Sequence, residues 1–167
     1  FDMTYLDTYA FEWDATVDTN TGQPWVNVWP YWYEVPLGNG LSLSNYDAGT
    51  GTIVMTGYPV SGSISYTIRN VVNNGLELIS NPFPSAINFD AFASDNSDYI
   101  LNKYYIYDPS IGNYIYRVAG IGRSRYLQHG QGFFVYTKAN GNVNFTNTHK
   151  THSDSAFREI IMNLLTV

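Results

Sequence analysis

The polar and apolar positions of this chain alternate with a period of two, in short runs separated by turn residues. Ser63–Ile68 alternates with Ile64, Tyr66 and Ile68 on one face, Asn142–Thr146 with Val143 and Phe145, and Leu41-Ser42-Leu43-Ser44 follows the same rule. Neighbouring side chains of a strand point to opposite faces, so these runs predict half-buried β-strands. Gly132–Thr137 is apolar almost throughout and predicts a strand covered on both faces, while Tyr104–Tyr107 predicts a short aromatic strand. The intervening residues are turn formers. Asn140-Gly141 is a favoured hairpin pair. In Asp108-Pro109-Ser110-Ile111-Gly112-Asn113 the early proline and late glycine suit a type I turn joining Tyr105–Tyr107 to Tyr114–Val118. Asp47-Ala48-Gly49-Thr50-Gly51 separates the Leu41 strand from Thr52–Gly57.

Two segments break this rhythm. Asn88–Asn102 carries Asp90, Asp95 and Asp98 around Ala91-Phe92-Ala93 and reads as a short helix or a long loop. In the tail, Phe157, Ile160, Ile161, Leu164 and Leu165 have helical spacing, yet Ile160–Val167 also reads as a buried strand leaving toward a following domain. The β context tilts the reading to strand.

The pattern also recurs over a longer range. Phe11-Glu12-Trp13-Asp14, Gly38-Asn39-Gly40 and Thr52-Ile53-Val54 are followed by Tyr105-Ile106-Tyr107-Asp108, Gly130-Gln131-Gly132 and Asn142-Val143-Asn144, at offsets of 94, 92 and 90 positions. A repeated run of strand blocks points to architecture before chemistry. The expectation is an all-β, jelly-roll-like β-sandwich with a two-fold internal repeat, a single closed barrel being the second choice. Residues 1–70 form the first half, 71–157 the second half packed with it as one domain, and 158–167 a terminal strand or linker.

Composition narrows the function. The 167 residues are 44% hydrophobic and 17% aromatic, with 15 tyrosines, but only 13% charged. A core can be built without staples. Eight basic residues against a net charge of −6 cannot form a basic patch, which argues against nucleic acid as a partner. With no cysteine, disulfides, thiolate nucleophiles and cysteine zinc sites are excluded. No run has the length of a membrane-spanning helix, so direct membrane insertion is not expected. The chain starts at Phe1 rather than Met and reads as a piece of something longer.

The stretch from Asn74-Gly75-Leu76-Glu77-Leu78-Ile79-Ser80 through Asn81-Pro82-Phe83-Pro84-Ser85 to Ala86-Ile87-Asn88-Phe89-Asp90 resembles a recurrent block of large secreted proteins of Bacteroidota. Three further blocks follow in the same order: Tyr105–Tyr114, Leu127–Val135 and Val143–His152. The resemblance is strong over Gly75–His152 and fainter over Tyr9–Gly62. Leu76 stands where the family often has tryptophan, and His129 where it often has proline. The family is an accessory β-sandwich repeat region of adhesin-like proteins, normally lying before the sorting domain of type IX secretion. The resemblance thus implies export to the medium or the cell surface, with other domains of the same protein as partners, and brings no catalytic motif. Read without the family, Pro82 and Pro84 hold the backbone extended, Asn81 bonds its own neighbouring backbone, and Phe83 plugs the core.

Candidate chemistry is sparse. His149 and His152 have a spacing that can share a metal, but they are better read as polar loop residues along with His129. No nucleophile elbow supports a serine triad, and no catalytic residue is assigned, so an enzyme is not expected. Gly38-Asn39-Gly40 and Gly130-Gln131-Gly132 precede strands rather than helices, so they read as bulges or close backbone approaches, not phosphate loops. Asp90, Asp95 and Asp98 form an oxygen-rich cluster of the kind that binds structural calcium, without the spacing of a helix–loop–helix calcium site. No other cofactor is expected. The sharpest binding candidate is Trp25, Trp29, Tyr31, Trp32 and Tyr33, five rings within nine residues, suited either to packing or to stacking on the sugars of a glycan. A non-catalytic structural or adhesive accessory domain is the first functional expectation, and a carbohydrate-binding module the second.

Overall fold

The computed structural model of the chain describes residues 2–5, 8–18, 21–28, 33–45, 53–56, 58–69 and 75–152. The tail, the turn at 47–51 and residues 29–32 lie outside the described residues. The chain is all-β with a single short α-helix among the described residues: antiparallel sheets pack face to face and do not close into a barrel.

The largest sheet is built by the second half. Its strands are β7 (Leu76–Ser80), β9 (Ile100–Asp108), β10 (Asn113–Val118), β11 (Ile121–Gly122) and β13 (Gly132–Thr137), in the order β11-β10-β9-β13-β7. One face carries Ile79, Phe133, Val135, Tyr104 and Ile106, all buried. Against it pack α1 (Phe89–Asp95), a sheet of β8 (Ala86–Asn88), β12 (Tyr126–Leu127) and β15 (Lys150–Thr151), and the pair β6 (Ile64–Ile68) and β14 (Gly141–Phe145). The alternation in β6 and β14 places Ile64, Tyr66, Ile68, Val143 and Phe145 inward, as expected from their period of two. Phe92 stacks on Phe145 at 4.4 Å and meets Phe133 edge-on.

The Asn88–Asn102 segment resolves into α1 and a turn. Asn88 caps the helix by accepting from the backbone N–H groups of Asp90 and Ala91. Asn96 ends it: its amide donates to Phe92 O and Asn144 O, and its side-chain oxygen accepts from Asn144 N at 2.7 Å, so the helix is pinned to β14. The Asn81-Pro82-Phe83-Pro84 block behaves as its chemistry requires. Asn81 Oδ1 accepts from Phe83 N, its amide donates to Ser85 O, Leu127 O and Gln128 O, and Phe83 is fully buried.

The first half contributes β1 (Asp2–Tyr5) paired with β5 (Ile53–Thr56), and a sheet of β2 (Thr8–Trp13), β3 (Trp25–Val28) and β4 (Leu41–Asn45) in the order β3-β2-β4. The strand following each Gly-x-Gly segment pairs with an earlier strand of its own half, β4 with β2 and β13 with β9, although β13 has β7 on its other side and β4 ends its sheet among the described residues. In one half, β2 lies between its hairpin partner β3 and β4; in the other, β9 lies between its hairpin partner β10 and β13. The registers correspond as well, Phe11 opposite Ser42 and Tyr105 opposite Phe134. So do the ends of the central strands: Asp14 accepts from Thr16 N and Oγ1, and Asp108 accepts from Ser110 N and Oγ, at matching distances of 2.6–3.0 Å.

The halves meet along β7 and through the β6–β14 pair, β6 lying in the first half. Gly40 N donates to Leu78 O and Ser80 N donates to Gly38 O, so the first Gly-x-Gly segment extends the large sheet past its β7 edge. Gly40 is a close backbone approach, since a β-carbon there would stand 2.6 Å from Leu78 Cγ, whereas Gly130 has open space and Gly132 makes ordinary contacts. A buried polar clasp lies beside this seam. Fully buried Glu77 accepts from Arg69 N and the Arg69 guanidinium, each at 3.0 Å, and from the Tyr66 hydroxyl at 3.1 Å. Arg69 reaches Trp13 O and Asp14, and Asn39 links Tyr66 to Glu12. Burial pushes the carboxyls of Glu77 and Glu12 above the ordinary carboxylate range, against the pull of their hydrogen bonds and of Arg69.

Candidate functional site

The second face of the large sheet is aromatic. Strand alternation and register put Tyr105 and Tyr107 of β9, Tyr114 and Tyr116 of β10, and Phe134 and Tyr136 of β13 on one side. The opposing β3-β2-β4 sheet presents Tyr9, Phe11, Trp13 and Trp25 together with Ser42 and Ser44. The two faces meet through a cluster of rings. In it Trp13, Trp25 and Phe134 pack edge to face with centroids 5.0–5.9 Å apart, and the Trp13 indole N–H donates to Leu76 O at 3.0 Å. Residues from both sheets line a cleft of about 890 Å³.

Phe11, Trp25, Tyr105, Tyr107, Tyr114 and Phe134 are among the rings that line the cleft, with Tyr104, Tyr126 and Phe133. Tyr107 and Tyr114 lie edge to face at 5.4 Å and remain about half exposed, at 53% and 43%. Burial and the neighbouring Tyr107 raise the Tyr114 hydroxyl above the usual phenol value, so it stays a neutral donor and acceptor. Between the rings stand Gln23, Ser42, Ser44, Ser110 and Ser124. At the Tyr107–Tyr114 end, Asp108 lies 3.7 Å from the guanidinium of Arg123. Hydrogen bonds from Ser110 hold the Asp108 carboxyl below the usual range, with Arg123 adding to the effect. Mostly apolar and aromatic walls with a few placed polar groups are the make-up of a ligand site.

Of the expected aromatic residues, Trp25 lines this cleft while also packing on Trp13 and Phe134. Tyr33 packs instead with Ala10, Val28, Leu41 and Leu43 in a small satellite core. Trp29, Tyr31 and Trp32 lie outside the described residues. The three aspartates of the expected calcium cluster are held apart in their bonding. Asp90 is gripped by Arg117 through bonds of 3.0 and 2.6 Å, Asp95 accepts from His149 at 2.9 Å, and Asp98 follows the helix on an exposed turn. Among the described residues no three His, Asp or Glu side chains converge, so these carboxylates as placed do not form one calcium ligand set. His149 is buried against Phe92 and caps a 3-10 turn by accepting from Thr146 N; His129 and His152 are exposed.

No family model matches the chain, nor does any of the curated proteins or solved structures compared with it. The functional reading therefore rests on the cleft.

The tyrosines of β9 and β10 were the residues that sequence reasoning passed over. Their signal is visible as Tyr-x-Tyr at 105–107 and again at 114–116, which places four rings on one face of a hairpin. What the pattern does not show is that Phe134 of β13 packs on Trp13 and Trp25 of the opposing sheet while Tyr107 and Tyr114 stay about half exposed.

Proposed function

We propose that this chain is a non-catalytic, adhesive binding module of a secreted or surface-attached protein, and that its ligand is a glycan held in the aromatic cleft. The observation that carries the reading is the pair of facing sheet surfaces, joined through Trp13, Trp25 and Phe134, with half-exposed Tyr107 and Tyr114 as the open floor. A sugar ring has an apolar C–H face and a rim of hydroxyls. Flat rings interleaved with serine hydroxyls and an amide match both surfaces at once.

Binding is favoured over hydrolysis by the carboxylates. Glycoside hydrolysis uses two carboxyl groups facing each other across the scissile bond. Among the described residues that line the cleft Asp108 is the one acid, and Ser110 and Arg123 favour its ionised form. Glu12 and Glu77 are committed to the clasp between the halves. The low-charge, acidic composition and the resemblance over Gly75–His152 support an extracellular setting.

Affinity electrophoresis through gels containing soluble polysaccharides tests the proposal. The wild type is expected to be retarded by at least one polysaccharide, and Tyr107→Ala combined with Tyr114→Ala to migrate as in a plain gel. Unretarded migration of the wild type across a broad polysaccharide panel would sink the reading.

A further inference from the structure

Building on the glycan reading, we infer that the cleft selects a neutral glycan chain, and that Asp108 and Arg123 together form the hydroxyl-reading pair beside the Tyr107–Tyr114 floor.

The charge inventory of the cleft points this way. Among the described residues that line it, Asp108 and Arg123 are the only charged ones, and they lie 3.7 Å apart. The cleft therefore offers no net charge to an ionic sugar. An anionic glycan would meet Asp108 directly and approach a chain of net charge −6. Arg125 lies 5.5 Å from the ring of the lining residue Tyr126, and on the sheet face Lys103 of β9, opposite Val118 of β10, holds its ammonium over the rings of Tyr105 and Tyr136 at 4.8 and 4.6 Å. Both are placed as cation–π partners outside the cleft lining, not as anion clamps within it.

The geometry also gives the pair a task. A carboxylate accepts hydrogen bonds only, and a guanidinium donates only. Side by side they match adjacent sugar hydroxyls, one donating and the other accepting. Ser110 N and Oγ fix the Asp108 carboxylate from behind at 3.0 and 2.6 Å, through one of its two oxygens. The second oxygen is the one that meets Arg123. Arg123 has its own backbone tied in, its N–H donating to Tyr116 O and its carbonyl accepting from Arg117. The dyad is thus mounted on the β9–β10 hairpin that also carries Tyr107 and Tyr114, which sets ring stacking and hydroxyl reading in one frame. Hydrogen bonds to charged groups discriminate strongly, because a missing partner leaves the charge unsatisfied.

The test is a calorimetric titration of the full chain with neutral oligosaccharides (cello-, xylo-, manno- and chito-oligomers) and with anionic ones (oligogalacturonate, oligoalginate, heparin fragments), at low and high salt. The inference expects at least one neutral series to bind with salt-independent affinity and the anionic series to bind at least about tenfold more weakly. It expects Asp108→Asn, which keeps the acceptor for Ser110 but removes the charge, and Arg123→Gln each to weaken the neutral ligand by about tenfold. Both variants should remain folded by circular dichroism, with Asp108→Asn losing only the small contribution of its ionised carboxyl to stability. Binding confined to anionic oligomers and lost at high salt would overturn the inference while leaving the glycan reading standing. Neutral binding unchanged in both variants would remove the dyad from recognition. No heat with any oligomer of either class would instead remove the glycan reading on which the inference rests.

Discussion

Gly40 lies against Leu78 so closely that a β-carbon would fall 2.6 Å from Leu78 Cγ and 2.9 Å from the Ile79 carbonyl oxygen. The second of these neighbours is backbone and has no rotamer by which to yield. The contact is where the first half adds itself to the edge of the large sheet, and it converts an open β7 edge into a covered one. Gly40→Ala is accordingly expected to destabilise the chain by about 1–3 kcal/mol. Chemical denaturation would read this, and a variant as stable as wild type would contradict the close approach.

The clasp beside that seam makes a second prediction. Arg69→Ala removes the guanidinium from fully buried Glu77 and leaves an unpaired carboxylate, at a cost of about 3 kcal/mol near neutral pH. The loss should shrink on acidification, since protonating Glu77 removes the buried charge. Equal destabilisation at neutral and mildly acid pH would show that Glu77 is not the group involved.

The pH dependence of the wild type follows from the same shifts. Glu12 and Glu77 are raised, so the folded chain takes up their protons more readily than the unfolded one. Their contribution to stability is therefore complete below the ordinary glutamate value of 4.5 and is lost as pH rises through their folded values. Asp14 and Asp108 are lowered, and their contribution is present above 3.8 and lost as pH falls through their folded values. Thermal melting is expected to hold or rise between neutrality and 4.5 for these groups, with acid losses beginning only below 3.8. A steady fall from pH 7 downward would reverse the signs assigned to Glu12 and Glu77.

Asn96 is the third structural test. It is buried, donates to Phe92 O and Asn144 O and accepts from Asn144 N, so it joins α1 to β14 with no spare group. Asn96→Ala strands these backbone groups and is expected to cost about 1–3 kcal/mol. Amide exchange at Asn144 should accelerate selectively; unchanged protection there would place the cost elsewhere.

The β-architecture was legible because it rests on local rules. The alternation of Ile64, Tyr66 and Ile68, the hairpin turn opened by Asp108-Pro109 and the Asn81 turn are each dictated by residues close in sequence. The close approach of the first glycine segment was legible too, though not that Gly40 would meet Leu78, and Gly130 and Gly132 make no such approach. The site was less so. Trp25 belongs to the cleft, but Tyr33 was drawn into a satellite core by Ala10 and Val28, neighbours that only the fold brings near. Likewise Asp90 and Asp95, adjacent on paper, are separated by Arg117 and His149 arriving from distant strands and turns. The tyrosine floor depends on how far one sheet covers another, a property no single segment encodes.

The most direct test of the central claim is to follow backbone amides and the indole N–H groups by NMR while titrating a neutral oligosaccharide series. The account predicts shift changes centred on Trp25, Tyr105, Tyr107, Asp108, Tyr114 and Phe134, with the β6–β14 side of the core unmoved. Perturbations confined to β6, β14 and α1, or none with any oligosaccharide, would contradict it.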